Sequence, residues 1–87
     1  MKYTYYGIIN GKEELIRTSK THDDYKYALV YADKYIFKCS SKKEYCQREL
    51  DYRTAGWIAM QNGSKREYSS LQMYNPERLK IIEIYIK

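Results

Sequence analysis

The sequence predicts an α+β fold: an antiparallel sheet of about five strands with one long helix packed on one face. Three observations carry this expectation. Asn10-Gly11 and the alternating stretch YKYALVYADKYIFKC at 25–39 mark two hairpins. Ser41-Lys42-Lys43-Glu44 opens a segment with helical spacing, and RLKIIEIYIK at 78–87 alternates as a further strand.

KYTYYGII is rich in aromatic and β-branched residues, which fit a pleated surface. It runs into Asn10-Gly11, whose residues tolerate the positive φ of a two-residue hairpin turn. The return strand is KEELIRTSK. A two-residue turn pairs Ile9 with Lys12, Tyr6 with Leu15 and Tyr5 with Ile16.

Two readings compete over THDDYKYALVYADKYIFKCSS. Thr21 could cap a helix carrying Asp23 and Asp24 in its first turn, where the helix dipole favours acids. Against it, Tyr25, Tyr27, Leu29 and Tyr31 alternate with Lys26, Ala28 and Val30, which favours a hairpin. A turn at Ala32-Asp33-Lys34 pairs Tyr31 with Tyr35, Leu29 with Phe37 and Tyr27 with Cys39. Tyr25, Tyr27, Leu29, Tyr31, Tyr35, Phe37 and Cys39 then share one face. Lys26, Ala28, Val30, Ile36 and Lys38 share the other, and a slip of one residue would exchange the rows.

In the capping box, the Ser41 hydroxyl accepts from the third helical amide while Glu44 reaches back to the serine amide. The helix is expected from Lys42 to about Met60, stopping at Asn62-Gly63, where glycine suits a left-handed cap. Cys46, Leu50, Trp57 and Ile58 fall on one broad stripe, with Tyr45 and Tyr52 towards a flank. A weaker alternative makes AGWIAM a strand turning at Asn62-Gly63. REYSSLQMY is an edge strand or an irregular crossing, and Asn75-Pro76 marks a boundary. In the last strand Ile82, Ile84 and Ile86 oppose Ile81, Glu83 and Tyr85. The more apolar row of the second hairpin, with Leu29, Phe37 and Cys39, should lie under Leu50 and Trp57. The row with Lys26 and Lys38 should face solvent.

Eighty-seven residues make a single domain, 1–87, with one modest core. Its twelve tyrosines, against one phenylalanine and one tryptophan, suit rings lying half in and half out of a thin fold. Two cysteines, Cys39 and Cys46, without a CxxC pattern, read as free thiols of a cytoplasmic protein. No apolar run is long enough to cross a membrane, and the start of the chain lacks the pattern of a signal peptide.

Enzymatic readings find little support. His22, the single histidine, sits in a polar turn, and there is no HExxH, CxxC pair or glycine-rich phosphate loop. No metal or cofactor is expected. Cys46 near the helix start could have its pKa lowered by Lys42 or Lys43, but no base can be placed beside it.

The net charge of +5 is uneven: Lys34 to Lys43 holds four lysines and no acid, and Lys65-Arg66 follows Asn62-Gly63. Such an excess favours nucleic acid or an acidic protein surface as partner, and also keeps a small domain soluble. Lys38, Lys42, Lys43, Lys65 and Arg66, with Tyr68 and Tyr85, are the candidate macromolecule-binding residues. In general character, a short chain heavy in Lys, Tyr and Ile, it resembles the small proteins carried by bacteriophages and mobile elements. That class includes inhibitors of host defence such as anti-CRISPR proteins. The resemblance is one of type over the whole chain, without a diagnostic motif, and transfers no functional residues.

The expected function is a non-enzymatic binding protein that occupies a surface of a host protein or ribonucleoprotein complex handling nucleic acid. The alternative is direct binding of single-stranded nucleic acid on a basic, tyrosine-rich sheet face, Tyr68 and Tyr85 stacking on bases. Exposed sheet edges also admit a homodimer.

Overall fold

The computed structural model describes residues 2–61 and 75–87. β1 (Tyr3–Ile9) and β2 (Lys12–Ser19) form the first hairpin, and β3 (Tyr27–Tyr31) and β4 (Tyr35–Ser40) the second. Helix α1 (Lys43–Gln61) follows, then a 3-10 turn at Pro76–Arg78 and β5 (Leu79–Ile86). All five strands join one antiparallel sheet in the order β2-β1-β5-β3-β4, so β5 lies between the two hairpins. The fold is the expected α+β arrangement. The hairpin reading of 21–35 holds, and AGWIAM belongs to α1, not to a strand. The proposed helix stop at Asn62-Gly63 and the segment REYSSLQMY lie outside the described residues.

Both hairpin turns use positive φ: 54° at Asn10 and 80° at Gly11, then 54° at Ala32 and 58° at Asp33. Asparagine and glycine accept this geometry readily, whereas alanine does so at a cost of roughly 1–2 kcal/mol. Asp33 offsets that strain. Its carboxylate accepts from Asn10 Nδ2 at 3.0 Å and pairs with Lys80 Nζ at 2.5 Å, pinning the second turn to the first and to β5.

Each hairpin starts in the expected register and then departs from it at a bulge. Ile9 pairs with Lys12 and Tyr6 with Leu15, but Tyr5 pairs with Arg17, leaving Ile16 as the extra residue of β2. Tyr31 pairs with Tyr35 and Val30 with Ile36, but Leu29 pairs with Lys38 and Tyr27 with Ser40, leaving Phe37 as the extra residue of β4. Beyond that bulge the rows exchange faces. Cys39, opposite Ala28, leaves the row of Leu29 and Phe37, and Lys38 joins the side of Leu29. The pairings of Leu29 with Phe37 and of Tyr27 with Cys39 are therefore corrected. Both bulged strands are the outer ones, and β2 also carries Lys12, Glu13, Glu14 and Arg17. Bulges and charges on edges oppose strand addition by a neighbour.

The helix covers the face formed by β3, β4 and the adjoining part of β5. There Leu29, Tyr31, Leu79 and Cys46 are buried, with Tyr27, Phe37, Leu50 and Ile81 packed around them. Arg53 completes this contact: its guanidinium lies 4.3 Å from the Phe37 ring centroid and its Nε donates to Glu49 at 2.8 Å. Ile58, expected in the stripe, is 53 % exposed, because the buried positions run through Cys46, Leu50 and Arg53 and miss its side of the helix. At the helix start the Lys42 amide donates to Ser40 Oγ at 3.2 Å, so the observed hydroxyl partner precedes Ser41 by one residue.

The opposite face is not open to solvent, which is the main correction to the sequence reading. Ala28 and Val30, expected outside, are fully buried with Tyr5, Ile9, Ile16, Cys39 and Ile84, and Ile36 packs on them. The sheet curls, so that Ile16 from one outer strand and Cys39 from the other meet in the same cluster. The segment 20–26 adds cover: the Tyr5 hydroxyl donates to the His22 carbonyl at 2.6 Å and accepts from the Tyr25 amide at 3.3 Å. The Tyr5 and Tyr25 rings meet at 5.2 Å, and the Lys26 amide bonds to Ser40 O. Gly7 permits close packing inside the curl, since a Cβ there would stand 2.9 Å from Ile82 Cδ1 and 3.3 Å from the Glu83 carbonyl oxygen.

Two substitutions test the second core. Val30→Ala is expected to cost about 1.5–3 kcal/mol through lost burial, and Gly7→Val about 1–3 kcal/mol through overpacking. Urea unfolding followed by circular dichroism measures both, and a Val30 change without effect would return that face to solvent.

Candidate functional site

The strand-to-helix junction brings Lys38, Lys42 and Lys43 to one region of the molecule. Lys38 is half-buried on β4, and Lys42 and Lys43 are exposed at the start of α1. Its nearness to the helix is chemical as well as spatial: the Lys38 charge acts on the Cys46 thiol, partly opposing the burial that pushes its pKa up. Lys42 and Lys43 stand where the helix dipole is positive. Placing cations there costs a few tenths of a kcal/mol, about 0.3 or more, so helix stability does not explain them.

Helix geometry then sets Arg48 beside the two tyrosines, Tyr45 and Tyr52, expected on the flank. Positions 45, 48 and 52 follow i, i+3, i+7 spacing and share one outward side of α1. Tyr45 is 39 % exposed and Tyr52 52 %. Lys42 Nζ lies 5.9 Å from the Tyr45 ring centroid and the Arg48 guanidinium 5.3 Å, within cation–π range. Among the described residues, no carboxylate forms an ion pair with Lys38, Lys42, Lys43 or Arg48. Glu44 sits one turn before Arg48 without bridging to it, Glu49 is taken by Arg53, and Asp51 accepts from Gln47 at 3.0 Å.

The structure does not bring Tyr85 into this cluster. Its hydroxyl donates to Glu13 Oε2, while Lys87 Nζ reaches Glu13 Oε1 at 2.6 Å and lies 5.6 Å from the Tyr6 ring. Tyr85 pairs across the sheet with Tyr6 and belongs to the side formed by β1, β2 and β5. The Glu13 carboxylate raises the Tyr85 phenol pKa, and Lys87 with Tyr85 lowers that of Glu13. Lys65, Arg66 and Tyr68 lie outside the described residues.

His22 stacks on Tyr25 at 4.9 Å and shares a hydrogen bond with Thr21 Oγ1. Burial pushes both thiols up, so the suggestion of a Cys46 activated by the helix start is corrected. Among the described residues, no group of three His, Cys, Asp or Glu side chains is placed to hold a metal, and no helix is long and apolar enough to cross a membrane.

No protein-family model, no curated protein and no solved structure matches this chain.

The thiol and carboxylate environments make two expectations. Cys39 and Cys46 should resist iodoacetamide at neutral pH in the native protein and react fully in guanidinium, as read by mass spectrometry. Lys80 and Asn10 hold the Asp33 pKa below the ordinary carboxylate range, and Lys87 with Tyr85 does the same for Glu13. Groups with depressed folded-state pKa values contribute stability above their unfolded pKa and lose it as pH falls through the folded value. Thermal unfolding should therefore move to lower temperature below about pH 4. The double variant Glu13→Gln/Asp33→Asn should show a smaller acid shift.

Proposed function

We propose that this chain is a small, non-enzymatic binding protein of the cytoplasm that occupies a surface of a complex handling nucleic acid. It presents the junction between β4 and α1 to an anionic partner. The observation that carries this reading is that Lys38, Lys42, Lys43 and Arg48 gather at this junction with no ion pair among the described residues, Lys42 and Arg48 flanking the exposed Tyr45 ring. Elsewhere in the described residues, Arg53, Lys80 and Lys87 are matched with a carboxylate, while Lys12, Lys20, Lys26 and Lys34 also form no ion pair; the junction differs in gathering four such cations at one place. A cation field left open on one side steers association with a polyanion, and tyrosine and arginine are common anchors of interfaces. A positive surface also argues against imitation of DNA, which requires acids. The general likeness to small phage-carried proteins fits an inhibitor of host defence, acting by occupancy and not by turnover.

The test is capture by tagged protein from host lysate, with and without nuclease, using wild type and the Lys42→Glu/Arg48→Glu variant. Recovery of a nucleic-acid-handling complex by wild type, reduced at least about tenfold by charge reversal, is the expected result. Equal recovery by both proteins, or recovery of nothing, would overturn the reading.

A further inference from the structure

We infer that this chain forms a weak two-fold dimer through the half of the helix-side sheet face that α1 leaves uncovered. Residues alternate sides along a strand. On β5, Leu79 and Ile81 pack with the helix, so Glu83 and Tyr85 continue the same side beyond it. Tyr85 pairs with Tyr6, and Tyr6 with Leu15, which puts Ile8 and Leu15 on that side as well. Ile8 is 50 % exposed and Leu15 61 %, and the register makes them diagonal neighbours across the strands. The Tyr6 and Tyr85 side chains beside them are already engaged, the first by Lys87 and the second by Glu13, so they form the floor of the patch. Covering that floor strands neither the Tyr85 hydroxyl nor the Lys87 ammonium, because both keep their bonds to Glu13.

The occupant is a second copy because the two ends of the patch carry opposite charge. Glu13 and Glu83 lie at the Ile8 end. Lys87 lies at the other end, with Lys2 and Lys20 just outside β1 and β2, and all five are exposed. A nucleic acid would meet the acids, and an acidic peptide would answer only the lysines. A copy turned about an axis across the strands lays its lysine end over the acids and its acids over the lysines. Each contact then occurs twice, as an isologous interface requires, and the apolar centre meets itself. Strand addition at β2 is not the route, since that edge is bulged and charged. Three strands at about 4.8 Å spacing and seven residues at about 3.3 Å make a slab of roughly 14 by 23 Å. That falls short of the roughly 800 Å² per partner of a standard interface, so a reversible dimer with a Kd on the order of 10–100 μM is expected. The cation junction lies towards the β4 edge, so a dimer leaves both of its junctions accessible. The inference does not rest on the proposed function.

Sedimentation velocity of the full chain, from about 5 μM to about 1 mM, tests this against the expected affinity. The expected result is a monomer–dimer equilibrium. Leu15→Lys sets like charges against each other at the apolar centre and should weaken the dimer at least about tenfold. Tyr35→Lys adds the same charge at a similarly exposed residue, 52 %, on the opposite edge, and should dimerise as wild type. Lys20→Glu lowers the net charge, and with it the general repulsion between copies. It should nonetheless weaken the dimer about 2- to 10-fold, because acids then stand at both ends of the patch. Circular dichroism verifies that each variant folds. A monomer at the highest concentration, a dimer indifferent to Leu15→Lys, or one strengthened by Lys20→Glu would overturn the inference. Loss of a captured lysate protein on Leu15→Lys, from a chain that is itself monomeric, would assign the face to that protein and overturn it equally.

Discussion

The structure depends on one constraint: β3 is buried on both faces. Leu29 and Tyr31 point to the helix, while Ala28 and Val30 point into the curl, and all four are in the core. A strand enclosed this way needs a roof on each side. The helix supplies one. The other must come from the sheet itself, because one helix covers one face. The curl follows from that need. It carries β1 and β2 round until Ile16 and Tyr5 close over Val30, and Gly7 allows the approach of Ile82 that the curvature demands. The position of β5 between the hairpins completes the enclosure by pairing β3 on its inner edge.

The two bulges turn this constraint into a choice of faces. At β2 the extra residue is Ile16, which enters the curled core. At β4 it is Phe37, which enters the helix-side core and stacks on Tyr31 with ring centroids 5.5 Å apart. In both cases the unpaired position goes to a large apolar side chain that the regular register would have paired and displaced. The same irregularity lies on an outer strand each time, where it also spoils the flat edge that another chain would use. Packing and protection from strand addition thus arise from the same two residues.

Much of the fold was legible, for reasons that can be named. Asn10-Gly11 fixes the first turn by φ preference, and the alternation of 27–31 identifies a strand. The spacing of Cys46 and Leu50 identifies the helix side that faces the sheet. What could not be read was the consequence of non-local closure. Alternation shows that Ala28 and Val30 share a side, but not whether that side is wet, since small apolar residues fit either environment and the cover comes from residues far along the chain. The bulges were hidden for a related reason: one extra residue leaves no local mark when both neighbours are apolar or aromatic. At the surface, Lys42 and Lys43 were visible as a charge cluster. The helical spacing places Tyr45 and Tyr52 on a flank, whereas Arg48, aligned with them, carries no local mark that singles it out. The bond from Tyr85 to Glu13 leaves no local mark either, because the two residues lie at opposite ends of the chain.

Three acids hold the fold together through ion pairs. Asp33 and Glu13 answer Lys80 and Lys87 and so tie the two hairpins to β5 and its end, while Glu49 answers Arg53 within α1. At the junction between β4 and α1, Glu44 is the one acid of the first helical turn and forms no ion pair with Lys38, Lys42, Lys43 or Arg48 among the described residues, and that separation of roles has a physical logic. Paired charges hold the fold and contribute little to the long-range field, whereas unpaired charges project it. The helix start, where cations are least welcome for local stability, is where several of them stand. A cost accepted at that place is most simply balanced by an external anion.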